Sequence, residues 1–300
     1  MIRRVVLIVV LIILCRPFYV NGKTVLALKS IDAEACDQAI KGFMSVFRGQ
    51  ELKMIVFDNL GTEAEISAVI SENSPDLILC IGSNALRNAL SIKSVPKIFC
   101  LVAHPESIIS PDNVDIFGID MDLPVSTQFR ILATHFPKLQ RIGAMYNPEL
   151  SGEYIEKARK NAEDTPLELV TRPVNTIRDI PSALNYLKDR VDILWAFLDA
   201  TAYGPETARY VLLFALRKGI PFIGFSEEFA KAGALVAFYG DYKDMGCQSA
   251  LLAKKILANE PLPKPIIEPR KVRIAVNKKV ARSMAISFTS EFLAMVDQVY

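Results

Sequence analysis

The sequence predicts an α/β fold of two Rossmann-like lobes, each built on a parallel sheet, joined by three segments that act as a hinge. Three observations lead there. Short continuous apolar runs alternate along the chain with stripes of helical period, the pattern of strands covered on both faces by helices. The chain has 300 residues, and even without a leader it exceeds the roughly 100 to 200 residues that one core usually serves. Its halves also echo each other. Lys53 to Ile81 reads strand, helix, Asn-Ser-Pro-Asp, strand, and Leu167 to Leu198 reads strand, helix, Lys-Asp-Arg-Val-Asp, strand, with Asp76 and Asp192 each introducing the apolar run.

Residues 1–22 form a separate unit. Arg3 and Arg4 precede an apolar run from Val5 to Leu14, and Val20-Asn21-Gly22 places small residues at the minus-three and minus-one positions of a signal-peptidase site. The run falls short of the roughly 20 residues that span a bilayer. The segment therefore reads as an export signal with a mature chain from Lys23, and retention as an uncleaved anchor is the alternative. Lipoprotein processing at Cys15 is disfavoured by the bulky Ile13-Leu14 before it. Removing Arg3, Arg4 and Arg16 takes 35 basic residues to 32 against 33 acids. No basic field remains to attract nucleic acid or anionic lipid.

Strands are expected at Thr24–Lys29, Met54–Asp58, Asp76–Ile81, Lys97–Ala103 and Asp115–Ile119, then at Arg141–Tyr146, Glu168–Arg172, Asp192–Leu198, Pro221–Phe225 and Ala234–Tyr239. Helical stripes lie between them. Cys36, Ala39, Ile40, Phe43 and Phe47 share one face, as do Ala208, Val211, Leu212, Ala215 and Leu216. Phe288, Phe292, Val296 and Val299 suggest a terminal helix packed on a lobe. The crossings are expected near Phe117–Pro124, at Phe225-Ser226, and within Pro261–Pro269, where four prolines oppose regular structure. That assigns 23–119 plus 226–262 to lobe one and 120–225 plus 263–300 to lobe two.

Ligands of open parallel sheets collect at the carboxyl ends of the strands, where loops and helix starts offer unpaired N–H groups. In lobe one this rule selects Ser30, Ser83, Asn84 and His104. In lobe two it selects Asn147, Ser151, Asp199, Thr201, Tyr203, Ser226 and Glu227, with Asp241 opening the next helix. Helix capping is the plain alternative for Ser83, Asn84, Asp199 and Asp241, and a hinge role for Glu227. Were the solute an amino acid, Asp199 would be the natural acceptor for its ammonium, and the helix start at Ser83-Asn84 would donate to its carboxylate.

Phosphate-loop, dinucleotide, nucleophile-elbow and H-E-x-x-H patterns are missing, and the only histidines are His104 and His135. The chain reads as non-catalytic, with no cofactor or metal. Cys36, Cys80, Cys100 and Cys247 show no C-x-x-C spacing and lie in apolar patterns, so they read as small core residues, with disulfides the alternative.

The stretch Gly219–Asn259 carries a family pattern. Ser226-Glu227-Glu228, Ala232-Gly233-Ala234-Leu235, Asp241-Tyr242, Gly246-Cys247-Gln248-Ser249 and Lys255-Ile256-Leu257 follow one another in order. They resemble the ABC-transporter solute-binding proteins of the tryptophan/tyrosine-binding type. Ile81-Gly82-Ser83, Arg141-Ile142-Gly143, Tyr146-Asn147-Pro148 and Val276-Asn277 extend the resemblance over nearly the whole mature chain. It implies a periplasmic binding protein type I-like fold and an extracytoplasmic, monomeric receptor that hands a small solute to a membrane permease served by an ATPase. Three places depart from the pattern. Ala33-Glu34-Ala35 replaces His-Pro-Ala, His104-Pro105 stands where Ser-Asp-Pro is usual, and Leu198-Asp199-Ala200 where Thr-Asp-Asn is common. A sensory module of the same fold, signalling to a membrane partner such as a receptor kinase, is the alternative function.

Overall fold

The computed structural model describes residues 22–300 except 48–51, 58–61, 111, 114 and 263. The leader expected over residues 1–22 lies, apart from Gly22, outside the described residues. The strands are β1 (Lys23–Lys29), β2 (Leu52–Phe57), β3 (Leu77–Ile81), β4 (Lys97–Val102), β5 (Ile116–Asp120), β6 (Arg141–Tyr146), β7 (Glu168–Pro173), β8 (Ile193–Trp195), β9 (Phe222–Gly224), β10 (Val236–Gly240), β11 (Ile266–Ile267), β12 (Val272–Val276) and β13 (Gln298–Val299). They form two sheets, ordered β11-β5-β4-β3-β1-β2 and β13-β12-β10-β9-β8-β6-β7. Every pairing is parallel except β10 with β12.

Each sheet is buried on both faces, which is why its strands read as unbroken apolar runs rather than alternating ones. In the first lobe Val25, Ala27, Leu79 and Ile81 face the helices α1 (Glu34–Val46) and, far along the chain, α10 (Tyr242–Leu257), while Leu26, Leu28, Ile78 and Cys80 face α2 (Glu63–Asn73) and α3 (Ser83–Ala89). The helices α1 and α10 cross so closely that a Cβ at Gly42 would lie 1.9 Å from the Lys243 carbonyl, and one at Gly246 would lie 1.9 Å from that of Ala39. Only glycine fits at either position. The second lobe packs α4 (Val125–His135), α5 (Pro148–Glu163), α6 (Ile180–Leu187), α7 (Ala200–Tyr203), α8 (Ala208–Lys218) and α9 (Glu227–Ala232) around its sheet, with Trp195 and Phe129 meeting edge to face at 5.2 Å in its core.

The first crossing follows β5, close to where the sequence places it. The second does not lie at Phe225-Ser226. That turn leads into α9, whose Phe229 stacks on Phe222 of the same sheet, and β10 then pairs with β9. An apolar strand needs ladder partners on both sides, and β10 finds them in β9 and β12. The chain leaves the second lobe only after Gly240. The proline-rich segment also carries more order than expected, because Ile266 and Ile267 add an edge strand to β5, and the third crossing spans 268–271. The terminal helix is short as well. Thr289 caps α12 (Ser290–Ala294), which buries Phe292, but the chain then extends into β13, leaving Val299 exposed. Asp297 fixes that change by accepting the Ile274 N–H at 2.8 Å and pairing with Arg273 at 2.5 Å. A further helix, α11 (Lys278–Ser283), lies between β12 and α12.

Among the described residues no helix is long and apolar enough to cross a membrane. Cys36, Cys80, Cys100 and Cys247 are free thiols; the first three are buried, and burial pushes the Cys80 and Cys100 thiols up to about 12.

Candidate functional site

Both sheets direct their carboxyl ends at a common cleft, and its middle holds a pocket of about 380 Å3. Lobe one contributes Ser83, Arg87, Ala103 and His104, and lobe two contributes Leu198, Asp199, Tyr203, Pro205 and Phe225 among others. The walls are therefore mostly apolar, with a few polar groups set into them, as small-molecule sites generally are.

The lobe-one wall is built by Ser30. Its hydroxyl accepts the Ala85 N–H at 2.8 Å, and its own N–H reaches Ile81 at 2.9 Å, tying β1, β3 and α3 together. The residue before α3 is Gly82, at φ 91°, which has no side chain to cap with. Ser30 therefore performs the capping expected of Ser83 or Asn84. One turn along α3, the exposed Arg87 lines the pocket, and its side chain has no hydrogen-bond or ion-pair partner among the described residues.

The lobe-two wall is the opposite case, a closed network around Asp199. One carboxylate oxygen accepts the N–H groups of Thr201 and Ala202 at 2.9 and 2.8 Å. The other accepts the Asn147 N–H at 2.6 Å and the Ser151 hydroxyl at 2.5 Å. Ser151 bends α5 with φ −133° to make that bond. The Asn147 side-chain amide donates to Thr201 Oγ1 at 3.0 Å. A carboxylate offers about four acceptor positions, and all are filled on a residue only 3% exposed. Asp199 thus anchors the strand ends of β6 and β8 and has none left for an ammonium group. Tyr203 is committed likewise, accepting the Met145 N–H and donating to the Trp195 carbonyl, so that only its ring faces the pocket.

His104 spans the gap. It occupies the left-handed region at φ 48°, with its backbone N–H on Asp122 at 2.9 Å. Its Nδ1 lies 2.6 Å from Asp122 Oδ2, and its Nε2 lies 2.5 Å from the Leu198 carbonyl across the cleft. Nearby, Glu106 of lobe one pairs with Lys157 of α5 at 2.7 Å. Burial first, then the charge of Asp122, pushes the Asp120 carboxyl up to about 9.

The remaining expected residues lie elsewhere. Glu227 and Asp241 line a polar recess of about 640 Å3 together with Glu34, Gln38 and Arg273. Neither offers a free carboxylate. Glu227 accepts from the Tyr300 hydroxyl and pairs with Lys231, and Asp241 caps α10 while pairing with Arg273 at 2.6 Å. Ser226 borders a separate groove against α8, because the turn after β9 stays in the second lobe. Asn84 is exposed and faces none of these pockets. The residue that sequence reading missed is Arg87. Its position four residues after Ser83, hence on the same face of α3, was the signal available.

The ABC transporter substrate binding protein family model matches residues 26–300. No curated protein matches the chain in sequence. Among solved structures, the chain is similar to a Streptococcus pneumoniae ABC domain in complex with L-Trp (19% identity, TM-score 0.69, covering 93% of this chain and all of that one). It is also similar to a ligand-free, open substrate binding protein with adhesive properties from Clostridium difficile (18% identity, TM-score 0.73, covering 92% and 99%). A conserved domain protein from Vibrio cholerae gives 19% identity and a TM-score of 0.69, covering 93% of this chain and all of that one. At these identities the likeness shows the fold, the two-lobed periplasmic binding protein type I arrangement.

Proposed function

The chain belongs to the ABC transporter substrate-binding protein family, and from that premise we propose that it is the extracytoplasmic receptor of an import system. It captures a small carboxylate-bearing solute, amino acids included, by closing its lobes over the central pocket. The closed complex is then presented to a membrane permease served by a cytoplasmic ATPase. The observation that carries this reading is Arg87, a cation without a partner among the described residues, set in a mostly apolar pocket drawn from both lobes. A planar guanidinium pairs carboxylates bidentately. With Asp199 filled by four internal donors, the carboxylate and the apolar body of the solute are the features the pocket reads, and an ammonium group is optional.

Thermal-shift screening of the chain from Lys23 against the standard amino acids, small organic acids, their amides and simple sugars tests the class. The hits are expected among the carboxylates. Arg87→Gln is expected to weaken the best hit by about 10- to 100-fold in calorimetry, the worth of one charge-assisted pair. Hits confined to sugars or amides, or unchanged affinity in Arg87→Gln, would overturn it.

A further inference from the structure

His104 is the residue whose hydrogen bonding does not close in its ordinary protonation state. Its two ring nitrogens face two acceptors, Asp122 Oδ2 at 2.6 Å and the Leu198 carbonyl oxygen at 2.5 Å. A carbonyl has no proton to give, and Asp122 Oδ2 already accepts the His104 backbone N–H. Neutral imidazole has one N–H and one bare lone pair. In that form one of the two contacts would set lone pair against lone pair at hydrogen-bond distance. The arrangement therefore holds one proton more than neutral imidazole plus carboxylate.

The two contacts sit on different sides of the cleft. Asp122 lies on the crossing just after β5, whereas Leu198 follows β8 in the second lobe. We propose that His104 is a proton-dependent latch, a positioning residue that bonds Asp122 and, across the cleft, Leu198 at the same time only as the imidazolium, so that closure over solute is linked to proton uptake. The inference rests on the closure reading above.

The surrounding groups agree. Facing the ring are the acids Asp122, Glu106 and Asp199 and the phenol of Tyr154, whose ring packs at 5.4 Å, and the nearby cation Lys157 is itself paired with Glu106. Arg87 shares the same pocket. Burial is the largest single influence on the imidazole and lowers its affinity for the proton. The hydrogen bond and charge of Asp122, the Leu198 carbonyl and the charge of Asp199 together outweigh it, and the net shift is upward. Opening the cleft removes Leu198 from that sum. The charged form is thus favoured more in the closed state, so the latch is fully present below the open-state value and fails as pH rises through the higher closed-state one. The ordinary value is about 6.5. One linked proton changes solute affinity by at most about tenfold per pH unit.

Small-angle scattering of the solute-free chain between pH 5.5 and 9, alongside proton NMR of its two imidazoles, tests this. His135→Asn identifies the His104 resonance. The latch predicts that His104 titrates above about 6.5, that the radius of gyration rises along the same curve, and that His104→Gln, whose amide cannot change charge, abolishes the pH response. Titration of His104 at or below its ordinary value would overturn the latch, and so would a pH response in scattering that His104→Gln leaves intact. Scattering that is flat with pH in the wild-type chain would overturn it too. In that last case an equimolar mixture of the standard amino acids and the small organic acids separates the causes. Compaction by the mixture keeps closure and rejects the latch alone, and no compaction rejects both.

Discussion

The amino ends of the two sheets are built alike, and their carboxyl ends are not. At the amino end of lobe one, Asp76 accepts the Thr24 N–H at 2.8 Å and pairs with Lys23 at 2.9 Å. At the amino end of lobe two, Asp192 accepts the Gln140 and Arg141 N–H groups at 3.1 and 2.8 Å and pairs with the Arg141 side chain at 2.7 Å. Each aspartate thus fastens the start of its own strand, β3 or β8, to the neighbouring strand of the sheet, β1 or β6. At the cleft, lobe one relies on a single hydroxyl, Ser30, and leaves Arg87 without a partner among the described residues, whereas lobe two spends four donors on Asp199. The halves share a scaffold and differ at the cleft. One wall is closed by internal hydrogen bonds, and the other carries a charge unpaired among the described residues.

The largest effect that would break this comparison is at Asp199. Asp199→Ala strands three backbone N–H groups and a hydroxyl in a buried site, and is expected to cost on the order of 3 kcal/mol or more. Ser30→Ala, its lobe-one counterpart, should cost about 1 kcal/mol. Urea unfolding of both variants measures the difference, and equal losses would erase the distinction between the walls.

A second test uses the proton held on Asp120. Its folded value, pushed up to about 9, lies above the ordinary carboxyl range, so the folded chain binds more protons than the unfolded one between about pH 4 and 9. Stability attributable to this group therefore falls as pH rises through that window. Asp120→Asn is expected to flatten the decline and raise the melting temperature at pH 8 by several degrees, at roughly 2 to 4 °C per kcal/mol. A lower melting temperature at pH 8 would contradict the assignment.

The smallest effects should come from the matched pair. The Arg141 hydrogen bond, more than offsetting burial, holds the Asp192 carboxyl low. At Asp76 burial acts upward, but the Thr24 N–H and Lys23 together outweigh it. Both contributions are present above about pH 4 and are lost as pH falls through the depressed folded values. Asp76→Asn and Asp192→Asn should each cost less than about 1 kcal/mol at pH 7, and both differences should vanish near pH 2 in thermal unfolding. A large disparity between them would show that the two amino ends are not equivalent.

How much of this was legible in the sequence follows from what each feature depends on. Ten strands were readable because burial on both faces makes a run continuously apolar, and the repeated Asp76 and Asp192 marked the strand starts. The edge strands β11 and β13, and β12 beside β13, were not, since they are wholly or partly exposed and so lack a continuous buried apolar run. The second crossing was misplaced because Phe225-Ser226 looks the same whether the chain crosses or turns back into α9, and only the pairing of β10 decides it. The strand-end rule selects Ser83, His104, Asp199 and Tyr203, and these four line one pocket. It could not count the donors on Asp199, which come from Asn147 and Ser151 about 50 residues earlier in the chain as well as from its own turn. Saturation of a carboxylate is a three-dimensional property, and it moves Asp199 from solute contact to scaffold.

Closure of the lobes on a carboxylate held by Arg87 is read by small-angle scattering with the strongest carboxylate hit of the screen at saturation. Contacts to both lobes are satisfied together only when closed, so the solute favours that state by its differential affinity. The radius of gyration of the wild-type chain is expected to fall on binding, and Arg87→Gln at the same concentration is expected to stay expanded. Tight binding with superimposable curves before and after would contradict it, and would place the solute within a single lobe.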